Sequence, residues 1–196
     1  MTGNPDLVRM DPKQTDQETS NLAKRLDACV RNIPDFPKPG IVFKDITPIL
    51  SDPALCTDIV EVMASRFGGM DLDAIIGIES RGFLFGMLLA NKLDLPFIPI
   101  RKQGKLPYET IAQSYALEYG EATVEIHSDA FSPGGRVLIH DDLLATGGTV
   151  VAASELVKRM NGIIAGYTFL INLDFLNGKS RLKSFSEEIL TLIDYK

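Results

Sequence analysis

The segment Asp141-Asp142-Leu143-Leu144-Ala145-Thr146-Gly147-Gly148-Thr149 joins two adjacent carboxylates to a glycine pair flanked by hydroxyls. Glycines let backbone approach a ligand closely, and the two threonines add hydroxyl donors. A helix beginning here would aim its unpaired N–H groups and positive dipole end at the same point, which makes a phosphate cradle. Asp141 and Asp142 would repel a bare phosphate. They suit a ligand that also carries vicinal hydroxyls or Mg²⁺, as a sugar phosphate does. The Gly-Lys-Ser/Thr of an ATPase phosphate loop is absent, and so is the Gly-x-Gly-x-x-Gly of a dinucleotide turn, so neither of those chemistries is expected.

Glu79-Ser80-Arg81-Gly82 is a second candidate, because Arg81 offers a planar fork for a polyphosphate and Gly82 allows tight backbone. Arg101, Lys102 and Lys105 place three of the chain's 20 basic residues within five positions. By residue type alone that stretch suits either a solvated turn or a well for a diphosphate. Cys29, Cys56, His127 and His140 have no close ligand spacing, which argues against a zinc site.

These residues need elements to hold them. Apolar residues recur at helical spacing from Ser20 (Leu22, Leu26, Cys29, Val30, Ile33), predicting a helix that ends before Pro34. Phe36-Pro37-Lys38-Pro39-Gly40 is a stiff turn, and Ser51-Asp52-Pro53 opens a helix that Gly68-Gly69 closes. Strands are expected at Ala74–Ile78, Pro96–Ile100, Val137–His140 and Ile163–Leu173, and helices at Gly82–Leu93 and Gly148–Met160. Tyr115–Tyr119 and Thr123–Ile126 flank Gly120 as a hairpin. Alternating strands and helices predict an α/β fold, a mostly parallel sheet with helices on both faces. The acid pair and the Thr-Gly-Gly-Thr then fall in a strand-to-helix loop, where such sheets bind ligands. Met1–Thr19 has no apolar period and is expected to be a loose arm, leaving one domain over residues 20–196.

Composition narrows the classes. Across 196 residues, 20 Lys and Arg against 26 Asp and Glu give a net charge of −6, which argues against a nucleic-acid partner. A DNA-binding regulator would need a basic arm, and Met1–Ser20 is net acidic. Phe83–Ala90 and Gly162–Leu173 fall short of the ~20 apolar residues of a membrane span, and no signal peptide opens the chain, so no membrane association and a cytoplasmic location are expected.

Together these motifs resemble the type I phosphoribosyltransferases, whose signature is a strand, two acids and then Thr-Gly-Gly-Thr. Phe36–Ile46, Ser80-Arg81-Gly82-Phe83, Arg101–Pro107 and Tyr115–Gly120 follow in the family's order and are similar to its adenine-using branch. The similarity runs from about Ile33 to about Leu182.

The resemblance implies a purine-salvage enzyme. The phosphoribosyl group of 5-phosphoribosyl 1-pyrophosphate passes to N9 of adenine, giving AMP and pyrophosphate. Mg²⁺ assists, held by substrate and water with no direct protein ligand. It also implies a homodimer, a hood from about 20–50 and about 172–183, and a mobile flap at about 102–120. Ala145, Thr146, Gly147, Gly148 and Thr149 would hold the 5-phosphate, with Asp141 and Asp142 facing the ribose hydroxyls. Ser80, Arg81, Arg101, Lys102 and Lys105 would hold the pyrophosphate, Lys105 with the reach to serve a partner's site. Val42, Phe43, Lys44 and Leu173 would bind adenine, although Phe43 by residue type alone suits core packing. Glu118 would be the general base, with Tyr119 closing over the substrate and Arg81 completing the catalytic set. The peptide before Ser80 would be cis. A 6-oxopurine phosphoribosyltransferase is the alternative; it would share Asp141–Thr149 but not the Val42-Phe43-Lys44 region. Three residues depart from the family's pattern: Glu79 replaces Asp, His140 an aliphatic residue, and Asn172 a Glu.

Overall fold

The computed structural model describes residues 12–116 and 120–196. Its centre is a seven-stranded sheet in the order β5-β6-β4-β3-β7-β8-β9. Strands β3 (Ala74–Ile78), β4 (Phe97–Lys102), β7 (Arg136–Leu144), β8 (Ile163–Leu173) and β9 (Ile189–Tyr195) run parallel. The hairpin β5 (Thr110–Ala116) and β6 (Glu121–His127) adds an antiparallel edge to β4. A separate two-stranded sheet pairs β1 (Arg31–Pro34) with β2 (Val42–Asp45).

Alternation along each strand builds two cores, since successive side chains point to opposite faces. Ile75 and Leu138 join Leu22, Leu26, Ile59, Met63, Phe67, Phe85 and Leu89 under α1 (Pro12–Cys29), α2 (Pro53–Phe67) and α3 (Gly82–Leu93). Ala74, Ile76, Ile78, Val137 and Ile139 face Val150, Ala153, Leu156 and Val157 of α4 (Gly148–Arg159) on the other side. The expected sheet with both faces covered is therefore present. A short α5 (Gly178–Leu182) packs beside α4.

Strand Ala74–Ile78, helix Gly82–Leu93 and strand Ile163–Leu173 lie where their patterns put them. Asp52 caps α2 by accepting from the Leu55 N–H at 2.9 Å, with Pro53 in the first turn, as that sequence requires. Other boundaries differ. Helix α1 spans Pro12–Cys29, so it starts before the first apolar position and stops short of Pro34. Residues Arg31–Pro34 leave it to pair with β2, where tertiary pairing outweighs helical spacing. Strand β7 runs on to Leu144 because the long β8 offers partners as far as Leu144↔Asn172. Asp141 and Asp142 thus stand in a strand and not in the expected loop. Strand β9 is also unforeseen, an exposed-buried mixture with no clean period. Residues 1–11 of the expected arm lie outside the described residues.

His140, fully buried in β7 beneath α3, is held neutral: burial pushes its imidazole down to about 4, and the Thr168 backbone offsets only part of that. The native state therefore binds fewer protons than the unfolded chain below the ordinary histidine value of 6.5. Stability from this group is complete above that value and drains as pH falls towards 4. Between pH 7 and pH 4.5, His140→Val should lose on the order of 2 kcal/mol less stability than the parent in denaturant titrations. Equal losses would show that His140 is not the acid-labile group.

Candidate active site

Strand β3 is flanked by β4 on one side and β7 on the other, and the chain leaves β3 and β7 towards opposite faces through α3 and α4. Such a switch point opens a crevice at the carboxyl ends of the strands. Here the crevice is a cleft of about 340 Å³ lined by Phe43, Glu79, Ser80, Arg81, Lys102, Asp141, Asp142 and Leu143.

Close backbone packing sets its floor. A Cβ on Gly82 would lie 2.9 Å from Asp141 Oδ1 and 3.0 Å from the His140 carbonyl, so only glycine lets α3 begin against the acid pair. The Glu79–Ser80 peptide is cis, as the resemblance implied. Asp142 is buried and Arg81 Nε lies 3.0 Å from its Oδ2. Asp141 is closely surrounded by protein yet still lines the cleft, and its Oδ1 accepts from the Asp142 N–H at 2.9 Å. Burial raises the carboxyl of Asp141 well above its ordinary value, and the neighbouring Asp142 raises it further. Burial also raises Asp142, against the pull of Arg81. Two acids are therefore held where charge is costly, the mark of a site prepared for a partner that offers donors or positive charge.

Arg81 ties three features together. Its Nη1 donates to the Lys44 carbonyl at 3.3 Å, its Nε faces Asp142, and its guanidinium sits 4.9 Å from the centre of the Phe43 ring. Phe43 lines the cleft and meets Phe36 edge to face at 5.2 Å between ring centres, so it is not core filling. Val42 is 52% exposed, Leu173 packs against the α1–α3 core, and the Lys44 ammonium lies 3.5 Å over the Tyr195 ring; these three lie outside the cleft wall. Asn172 is fully buried and donates to Asp194 Oδ1 at 2.7 Å, which gives it a structural tie.

Ala145–Gly147 make the turn between β7 and α4. Gly147 has φ +78°, a conformation suited to glycine, and a Cβ there would meet the Gly178 carbonyl at 3.3 Å. The Thr146 carbonyl accepts from Arg181 Nη1 at 3.0 Å, and a Cβ on Gly178 would strike the Ala145 carbonyl at 2.3 Å. Thr149 Oγ1 donates to the Tyr115 hydroxyl at 3.0 Å, so β5 rests on the head of α4. Residue types alone do not single out Tyr115, Gly178 or Arg181; only the packing of hairpin and α5 on the turn reveals them.

On the other rim, Arg101 and Lys105 both reach Glu79 of the same chain, at 3.3 and 2.5 Å. Burial pushes the Glu79 carboxyl up, but the Lys105 ammonium, the Lys102 N–H and Arg101 outweigh it and leave it below the usual range. Glu118 and Tyr119 lie outside the described residues. No cluster of three or more His, Cys, Asp or Glu side chains that could enclose a metal occurs among the described residues.

A strand-end acid pair, a glycine turn at a helix head and a row of cations at a switch-point cleft are the arrangement that the sequence motifs shared with the phosphoribosyltransferases lead one to expect. The Phosphoribosyl transferase domain family matches residues 46–178. An adenine phosphoribosyltransferase of Cytophaga hutchinsonii is 52% identical over 174 residues, covering 89% of this chain and 96% of that one. The crystal structure of adenine phosphoribosyltransferase from Thermoanaerobacter pseudethanolicus superposes with a TM-score of 0.84 at 46% identity, over 88% and 99% of the two chains. That from Saccharomyces cerevisiae, complexed with an imino-altritol 1,6-bisphosphate and adenine, gives 0.83 at 39% identity, over 89% and 99%. The chain belongs to the phosphoribosyltransferase family and, within it, to the adenine phosphoribosyltransferases.

Proposed function

We propose that the protein transfers the phosphoribosyl group of 5-phosphoribosyl 1-pyrophosphate to N9 of adenine, releasing pyrophosphate and AMP. The observation that carries this is one cleft holding Phe43, Arg81 and the raised carboxyls of Asp141 and Asp142, with the glycine turn beside it. That the yeast relative was crystallised with a bisphosphate and adenine together supports a reading in which one protein takes both kinds of ligand.

The Ala145–Thr149 turn takes the 5-phosphate on the N–H groups opening α4. Asp141 and Asp142 accept hydrogen bonds from the ribose hydroxyls, which favours their ionised forms. As the C1–oxygen bond breaks and the N9–C1 bond forms, negative charge gathers on the leaving pyrophosphate. Ser80, Arg81, Arg101, Lys102 and Lys105 meet that charge where it develops, so they act more strongly in the transition state than before it. Phe43 stacks on adenine, and the backbone of its neighbours Val42 and Lys44, whose side chains turn away from the cleft, is offered to the base's edge. A 6-oxopurine would leave those polar groups mismatched, while Leu173, packed in the core, has no contact with the base to offer. Glu118 accepts the N9 proton, while Tyr119 and the segment 102–120 shut out water that would hydrolyse the activated ribose. The acid pair, two buried like charges, suits a Mg²⁺ carried by substrate oxygens and water, which would neutralise the diphosphate. We place the enzyme in the cytoplasm as a homodimer; no described helix is long and apolar enough to cross a membrane.

Labelled adenine incubated with phosphoribosyl pyrophosphate should yield AMP, and hypoxanthine, guanine and orotate should react at least ~100-fold more slowly. Turnover confined to hypoxanthine would replace the adenine assignment with the 6-oxopurine one.

A further inference from the structure

Glu79 follows the last residue of β3 and lines the cleft, its side chain only 8% exposed. Its Oε1 accepts from Lys105 Nζ at 2.5 Å. Its Oε2 accepts from the Lys102 N–H at 3.0 Å and from Arg101 Nε at 3.3 Å. Arg101 Nη1 donates in turn to the Lys105 carbonyl at 2.9 Å. Three of the five residues assigned above to the departing pyrophosphate, Arg101 and Lys105 by their side chains and Lys102 by its N–H, thus converge on a carboxylate of the protein itself. The carboxylate is the buried member of each pair, while Arg101 and Lys105 are 33% and 48% exposed, so the cations are the side free to change partner.

A second buried carboxylate holds the same segment by its backbone. Glu125 Oε1 accepts from the N–H groups of Lys105 and Leu106, both at 3.1 Å, and its Oε2 from Thr110 Oγ1 at 3.3 Å. The Lys105 side chain can therefore exchange anions while its backbone stays anchored.

We infer that Glu79 is a positioning residue that occupies, as an internal anion, the Arg101 and Lys105 cations used by pyrophosphate, so that pyrophosphate binds by exchange with Glu79 and is released as Glu79 reclaims those two cations. The inference rests on the proposed function. It makes Glu79 a brake on product affinity: each binding event must break pairs already formed, and a like charge remains in the cleft wall.

A residue that merely ordered the cations for the ligand would have the opposite effect when changed, and this separates the two roles. Glu79→Gln keeps the shape and removes the charge. Under exchange, pyrophosphate, measured as product inhibitor and by calorimetry, binds about tenfold tighter to Glu79→Gln than to the parent. Glu79→Asp, which restores the charge, returns inhibition towards the parent value. Comparing Lys105→Gln with Glu79→Gln/Lys105→Gln repeats the test with no lysine left unpaired. The double variant binds more tightly than Lys105→Gln, by a smaller factor of about three that acts through Arg101. Pyrophosphate binding that is unchanged or weaker in Glu79→Gln, with the parent binding normally, would overturn the exchange role and leave the proposed function standing. A parent that binds no pyrophosphate would overturn both.

Discussion

Arg81→Ala is expected to lower kcat/KM by about 10³, since removing one preorganised donor to developing charge typically costs 10²–10³ and Arg81 serves more than one partner. Its fork faces Asp142, donates to the Lys44 carbonyl and covers Phe43, so a single truncation disturbs the ribose floor, the base site and the leaving-group site together. The loss should appear in kcat and also in KM for adenine. Arg81→Lys keeps the charge but not the planar fork, and should recover a minor part of the activity. Steady-state kinetics with circular dichroism as a check on folding will show this. Activity within tenfold of the parent would remove Arg81 from the catalytic set.

The second large effect has opposite signs in stability and in activity. Burial raises the carboxyls of both Asp141 and Asp142, and the charge of Asp142 raises Asp141 further, so the folded state favours their protonated forms. For acids with raised native values, the stability contributed is complete below the unfolded value near 3.8 and is lost as pH rises through the native value. At neutral pH the pair is therefore a burden on the fold. Asp141→Asn, which keeps the acceptor for the Asp142 N–H, should raise stability at pH 7 by about 1–2 kcal/mol, in the range of other relieved functional strain. The same change should cut kcat/KM by about 10² through lost ribose orientation. Binding of phosphoribosyl pyrophosphate to the parent should expel protons, because its hydroxyls favour ionised acceptors, and should tighten as pH rises. Calorimetry in buffers of different ionisation enthalpy reads that release directly. An Asp141→Asn variant that is less stable than the parent, or proton uptake on binding, would refute the account.

Much of this site is legible in residue order because it depends on short-range chemistry. Asp141-Asp142 followed by Thr146-Gly147-Gly148-Thr149 marks hydroxyl acceptors beside a helix head, and Ser80-Arg81-Gly82 marks a cation on tight backbone. Continuous apolar runs place β3 and β8, which are buried on both faces of the sheet, and α3 follows as the helical segment between two strands. What escapes such a reading is set by partners distant in sequence. Strand β7 extends through the acid pair because β8 is there to receive it. Residues Arg31–Pro34 abandon a helical pattern to pair with Val42–Asp45. Glu79 alone suggests a solvated turn, and only the return of Lys105 and Arg101 across the cleft gives it a role.

The contact of Gly178 and Arg181 with the turn at Ala145–Gly147 bears on any attempt to transplant this phosphate grip. The nine residues from Asp141 to Thr149 carry the recognisable signature, yet their curvature is propped from behind by a helix some thirty positions later. Cut out and sewn onto another sheet without that buttress, the signature would keep its letters and lose its shape.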